Sequence, residues 1–169
     1  MKFKNISKNN IQTEKIIDHK VKISNILRQS NIFLLHNINH KKQLLTEISI
    51  IVEKSSSFSK KEVLQLLLDK EKIENSGIGG GVALPNINLS NMRKSLGIFI
   101  KLNKSISYNA SDNEPVDLIF LLISPTNDIP IHLNELAYIS RFLTKKKTLQ
   151  NLRSSIDKET IYAIITNEL

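Results

Sequence analysis

Val116 to Ile123 reads Val-Asp-Leu-Ile-Phe-Leu-Leu-Ile, and so apolar a run has few places to go. It is far too short to cross a bilayer, which takes roughly 20 residues. It also has no polar face to turn toward water, so it fits best as a strand at the centre of a sheet that is covered on both sides. Covering both sides takes helices, and the run predicts an α/β fold with a single mixed β-sheet sandwiched between α-helices. The chain's 169 residues are enough for one such core. No internal repeat or linker divides it.

The helical layers are visible in the apolar spacing. Leu44, Leu45, Ile48, Ile51 and Val52 form one helical stripe starting near His40. Ser59 followed by Glu62 has the spacing of a capping box, which predicts a second helix to about Lys72 that buries Val63, Leu66 and Leu67. Leu133, Leu136, Ala137, Ser140 and Leu143 define a third helical face. A short basic helix over 145–153 packs through Leu149 and Leu152, and Asp157 caps a last helix burying Ile161, Ile164 and Ile165. Strands are expected at 31–36, at 82–84 with Pro85 ending it, at 96–102 and at 106–108, the last leading to a turn over Asp112-Asn113-Glu114-Pro115.

Composition excludes several function classes. Cysteine is absent, so disulfides, thiolate metal sites and Cys nucleophiles drop out, in keeping with a reducing compartment. No apolar run reaches membrane length and the N-terminus is polar, so a cytoplasmic protein with no membrane insertion is expected. Half of the net charge of +8 lies in residues 1–22, where six Lys face Glu14 and Asp18. Residues 1–20 have no sustained apolar face and are read as a flexible basic arm, with the folded domain at 21–169. Aromatic residues make up only 5% and Trp is absent, so surfaces for stacking bases are poorly supplied and the charge argues weakly for nucleic acid.

The densest punctuation is Ser76-Gly77-Ile78-Gly79-Gly80-Gly81, where four of the five glycines lie within five positions. The segment lacks the Gly-Lys-Ser/Thr end of a phosphate-binding P-loop, and Val82 stands where a dinucleotide fingerprint wants its third Gly. Two readings stay open, a tight turn into the strand at Val82 and a backbone-lined anion or ligand site. His19, His36, His40 and His132 show no metal-ligand spacing, so neither a metal nor a cofactor is expected. His36 and His40 suit capping or solvent exposure. His132 stands at a helix start, where amide donors and the positive dipole end favour an anion. Asp69, Glu71 and Asp117 do not form an acid–base pair.

Taken together, Ser76-Gly77-Ile78-Gly79-Gly80-Gly81-Val82-Ala83-Leu84-Pro85 resembles the type-2 enzyme IIA domains of the bacterial phosphotransferase system, whose nitrogen-regulatory, fructose and mannitol branches share this segment. Asn113 to Leu118, Ser124-Pro125, His132-Leu133 with Leu136, and Ile161-Tyr162-x-Ile164-Ile165 follow in the family's order, and Lys70-Glu71 matches an Arg-Glu pair before the loop. The resemblance spans Val21 to Leu169. It implies a site built from Lys70, Glu71, Gly77, Gly79, Gly80, Pro85, position 86 and His132, the last matching the family's second, assisting His.

The sequence departs from the pattern at the decisive position. The family's phosphoryl acceptor is the His directly after the Pro, and Asn86 stands there. An imidazole nitrogen has a lone pair that forms a transferable phosphoramidate; a carboxamide nitrogen has delocalised its own into the carbonyl. Lys70 also replaces an Arg, keeping the charge but losing the planar two-point grip on a phosphoryl group. The resemblance therefore implies a nitrogen-regulatory-like IIA protein that acts as a regulatory binding protein in one dephospho-like state. The absence of a fused permease segment suits regulation better than sugar transport. The competing expectation is a working phosphoryl carrier, charged by a phosphohistidine carrier protein, in which Asn86 is a substitution or is bypassed by His132. The partners implied are that carrier protein or regulatory target proteins.

Overall fold

The computed structural model describes residues 20–167; the expected basic arm, apart from Lys20, and His19 lie outside them. Among the described residues a short 3-10 helix, Ile23–Asn25, precedes strand β1 (Leu27–Leu35), helices α1 (Lys41–Ser55) and α2 (Lys60–Ile73), and strands β2 (Gly77–Gly79), β3 (Val82–Ala83), β4 (Asn86–Leu89), β5 (Leu96–Ile106) and β6 (Val116–Pro125). Helices α3 (Ile129–Phe142), α4 (Lys146–Ser154) and α5 (Lys158–Asn167) complete the chain. The strands form one mixed sheet in the order β1-β5-β6-β3-β2, with β4 also paired to β6. No helix among the described residues is long and apolar enough to cross a membrane.

The apolar run is the central strand. On β6, Leu118, Phe120 and Leu122 turn to one side, packing with Ile139 and Phe142 of α3, Leu149 and Leu152 of α4, and Ile161 and Ile165 of α5. Ile119, Leu121 and Ile123 turn to the other, against Leu44, Ile48 and Val52 of α1 and Val63 and Leu67 of α2. All six are fully buried, each worth about 1.5–3 kcal/mol over an exposed position. The caps follow the sequence as well. His40 accepts the Gln43 amide through Nδ1, Ser59 accepts the amide of Glu62, and Asp157 accepts that of Thr160.

Three expectations need correction. The expected strand at 106–108 is absent; β5 instead runs unbroken from Leu96 to Ile106. The strand before Pro85 does stop, at Ala83, but the chain beyond Pro85 resumes pairing as β4. β3 and β4 pair with β6 in one constant parallel register, Val82 opposite Leu118 and Asn86 opposite Leu122, with Leu84 and Pro85 between. Proline lacks a donor but keeps its acceptor, and Pro85 O takes the amide of Leu122 at 3.0 Å; β4 has no partner strand other than β6 among the described residues, an edge setting where Pro is tolerated. Finally, the reading of the α3 face as core holds only in part: Leu143 is buried and Leu136 packs against the core, but the remainder of the stripe turns outward. Leu133 is 59% exposed, and the buried residues of α3 are His132, Ile139 and Phe142. The helix carries two apolar stripes, and periodicity alone does not say which one packs.

Gly79, Gly80 and Gly81 all have positive φ, so the glycine segment is the turn of the β2–β3 hairpin. A side chain at Gly81 would collide with the Arg153 guanidinium and crowd Asp117 and Pro115 O, whereas at Gly80 it would meet only Leu149 at ordinary contact distance. Both positions carry the strain of a left-handed backbone, but only Gly81 lies under the Arg153–Asp117 ion pair, 2.8 Å long. Gly80→Ala is expected to cost on the order of 1 kcal/mol and Gly81→Ala about 2–3 kcal/mol, measured from urea unfolding curves; equal costs would show that the ion pair yields freely.

Candidate functional site

The edge position of β4 decides which side chains reach the solvent. Along a strand alternate residues face opposite sides. Ile87 and Leu89 enter the core beneath α1 and α2, while Asn86 and Asn88 line an open cleft of about 590 Å³. The last turns of α2 bring Lys70, Glu71 and Glu74 to its wall, and the start of α3 brings His132 and Leu133. The stripe Leu133, Leu136, Ala137 and Ser140, expected in the core, instead lines this cleft.

At its centre lies the Asn86 carboxamide. Its Nδ2 donates to Leu84 O at 3.2 Å, and its Oδ1 accepts from Lys70 Nζ. A carbonyl oxygen can only accept and an ammonium only donate, so these two neighbours fix which end of the amide is which. The same Oδ1 lies 3.2 Å from His132 Nε2. Nε2 therefore carries a hydrogen, and in the neutral ring Nδ1 accepts from Ser124 Oγ, 2.7 Å away. Asn86 thus takes one hydrogen bond from each of two donors, an ammonium and an imidazole.

His132 is 5% exposed. Burial, with a smaller contribution from the Lys70 cation, holds it below the usual imidazole value, and burial likewise lowers Lys70, which Glu74 partly offsets. Glu71 has a different task. It pairs with Lys41 of α1 at 2.5 Å, accepts the Ser76 amide at 3.3 Å and lies 3.5 Å from the Tyr108 hydroxyl. Lys41 also lies over the Tyr108 ring. These contacts fasten the end of α2 to the hairpin. Desolvation beside the Glu71 charge pushes the Tyr108 phenol up, keeping it neutral.

The structure therefore gathers Lys70, Glu71, Pro85, Asn86 and His132 around one cleft. Gly77, Gly79 and Gly80 do not line it. The amide of Gly77 donates to Asn75 Oδ1 and that of Gly80 to Asp112 Oδ2, at 2.8 and 2.9 Å. With those donors taken by the protein's own side chains, the loop acts through its turn, which sets β3 in register. Sequence reasoning missed Ser124 and Glu135 behind His132, Tyr108 and Lys41 beside Glu71, and Asn88. Of these Asn88 left a signal in the alternation Asn86-Ile87-Asn88-Leu89, and Ser124 one in the Ser124-Pro125 motif, which gave it no role. Among the described residues no group of three His, Asp or Glu is placed to hold a metal ion.

Three findings from known proteins bear on this site. A family model described as "Phosphoenolpyruvate-dependent sugar phosphotransferase system, EIIA 2" matches residues 25–168. A nitrogen regulatory protein of Bradyrhizobium diazoefficiens is 34% identical over 76% of this chain and 84% of its own, and one of Klebsiella oxytoca is 33% identical over 88% and 93%. The crystal structure of nitrogen regulatory protein IIA-Ntr from Neisseria meningitidis superposes with a TM-score of 0.79 at 32% identity, covering 85% of this chain and 99% of that one.

Because folding lowers the proton affinity of His132, the unfolded chain binds more protons as the pH falls below the ordinary value of 6.5. This group's contribution is therefore present above about pH 6.5 and lost on acidification toward its folded value. Urea midpoints should fall between about pH 7 and pH 5 by less in His132→Gln than in the unaltered chain; an equal or larger fall in the variant would contradict the assignment.

Proposed function

The chain belongs to the EIIA 2 family of the phosphoenolpyruvate-dependent sugar phosphotransferase system, and we propose that within it the protein acts as a nitrogen-regulatory-type IIA protein that binds its partners in a single, unphosphorylated state. One observation carries this reading. Lys70 and His132, two donors from facing helices, both converge on the side-chain oxygen of Asn86.

The chemistry follows from the lone pairs. A phosphoryl acceptor needs a free pair of electrons aimed at the donor, and the Asn86 nitrogen, conjugated with its carbonyl, has none to offer. His132 offers none to the cleft either, since Nε2 carries a hydrogen toward Asn86 and Nδ1 is turned inward to Ser124. A family switch that adds close to two negative charges has no attachment point, and the cleft keeps the positive charge of Lys70. Exposed Ile129 and Leu133, each 59% accessible, stand at the cleft beside it. An apolar rim around a polar centre suits a protein partner, either the phosphohistidine carrier of the system or a regulatory target.

The test is direct. On incubation of the full chain with a phosphorylated phosphohistidine carrier, intact mass should show no added phosphate. Asn86→His should gain one that survives base and is lost in acid, because the new imidazole stands opposite Leu122 at the cleft's centre. Phosphate on the unaltered chain would overturn the single-state reading, and its disappearance in His132→Gln would assign it to His132 as a carrier.

A further inference from the structure

Behind the cleft, His132 heads a line of buried polar side chains that the proposed function uses only as far as its first link, Ser124. Nδ1 lies 2.7 Å from Ser124 Oγ, Ser124 Oγ lies 3.2 Å from Ser95 Oγ, and Ser95 Oγ lies 2.5 Å from Glu135 Oε2. Three elements contribute, with Ser124 on β6, His132 and Glu135 on α3, and Ser95 just before β5. Ser124 and Ser95 are 1% and 8% exposed. The far end is not sealed, since Glu135 also lines a second groove of about 250 Å³ together with Lys20, Lys22 and Ile131.

We propose that Glu135 is the positioning residue for His132, taking up the Nδ1 proton through Ser124 and Ser95 and so setting the charge that His132 presents to the cleft. The hydrogen count permits two complete arrangements. In one, Nδ1–H donates to Ser124, Ser124 to Ser95 and Ser95 to a Glu135 carboxylate. In the other, a protonated Glu135 donates to Ser95, Ser95 to Ser124 and Ser124 to a neutral Nδ1. The two differ by one proton passed along the line: Nδ1 releases its proton to Ser124 Oγ, Ser124 gives its own to Ser95 Oγ, and Ser95 gives its own to Glu135 Oε2. No atom is gained or lost and the total charge is unchanged. Each hydroxyl donates once and accepts once, so neither arrangement leaves an unpaired donor along the line.

A neutral His132 facing an ionised Glu135 breaks the line. Ser124 then donates to Nδ1 and Ser95 to the carboxylate, and no hydrogen lies between the two hydroxyls. The distances match that state, for the outer links are short and the middle one is the longest. Other charges bear on both ends. Lys70 of α2, with Glu71 and Glu74, faces His132 across the cleft; Asp128 at the start of α3 acts on Glu135, and Lys20 and Lys22 line its groove. Burial and Lys70 work against a charged His132; burial, and less so Asp128, work against a charged Glu135, while the hydrogen bond from Ser95 favours it. Opposed in this way, the two groups titrate as a coupled pair. A cleft without a phosphoryl switch would then still change its charge by one unit, through a proton. That consequence rests on the regulatory reading above; the line of hydrogen bonds does not.

Ring nitrogen–proton correlation spectra of the full-length, nitrogen-15-labelled protein test the proposal, recorded from about pH 5 to about pH 8, with the His132 signals assigned by their loss in His132→Gln. Around neutral pH the ring should show its hydrogen on Nε2. Glu135→Gln should lower the His132 midpoint by about one unit, a roughly tenfold loss of proton affinity. Ser95→Ala, which keeps the carboxylate but cuts the line, should lower it comparably. A midpoint unmoved in both variants, moved in only one, or never reached in the unaltered chain would overturn the proposal. Should Glu135→Gln fail to fold, Ser95→Ala decides alone by the same measurement. No carrier or partner is present, so failure here leaves the phosphorylation result untouched.

Discussion

The register of the edge strand against β6 governs everything that reaches the cleft. Because β3 and β4 keep one parallel alignment with β6 across Leu84 and Pro85, Asn86 is fixed opposite Leu122. A slip of one residue would put Ile87 in the cleft and the Asn86 amide in the core beneath α1 and α2. Two things hold the alignment. On one side Leu122 donates to Pro85 O, and Asp117 and Leu118 both donate to Gly81 O. On the other, Leu84 donates to Ser76 O, and Glu71 ties Ser76 and Tyr108 to Lys41. The glycine turn contributes to function by delivering a strand in register, with its loop amides facing the protein's own Asn75 and Asp112.

From that alignment the electrostatics of the cleft follow. Lys70 and His132 arrive from different helices, α2 and α3, each fixed by packing against opposite faces of the sheet. Two partly buried donors pointed at one spot would repel each other and stand unpaired without an acceptor between them. The Asn86 oxygen is that acceptor. Its neutrality matters, because it accepts from both donors without cancelling the charge of Lys70, which stands in the cleft beside Glu71 and Glu74.

The layers of this fold were open to inspection in the sequence because they rest on short-range patterns. Val116 to Ile123 had to be central, and the stripes of α1, α2 and α5 pointed to their core faces. What was hidden depended on contacts distant in the chain. Pro85 read as a terminator because local rules count its missing donor, while its surviving acceptor pairs only with Leu122. The stripe from Leu133 to Ser140 read as core because both faces of α3 carry apolar residues, and only the sheet's position picks between them. The site was legible in its parts, Lys70, Glu71, Asn86 and His132, and only through the family resemblance. Ser95, Ser124 and Glu135 were not, since nothing in the spacing of two serines and a glutamate says that they share a line of hydrogen bonds.

Counting lone pairs distinguishes a damaged phosphorylation site from a reorganised one. An imidazole at position 86 would offer at most one lone pair, enough for Lys70 or His132 but not for both. The donor left over is what an incoming phosphoryl oxygen would engage, so a histidine there keeps the pair of donors partly unsatisfied and ready for an anion. A carboxamide oxygen has two lone pairs and occupies both donors at once. On the single-state proposal position 86 supplies no nucleophile, and its oxygen already holds one N–H from each of the two side chains, while the Lys70 ammonium keeps two further hydrogens for other acceptors. A site without that carbonyl would leave both side chains fully open; here each spends one hydrogen on the protein itself, which is what the proposed single-state binding surface would require.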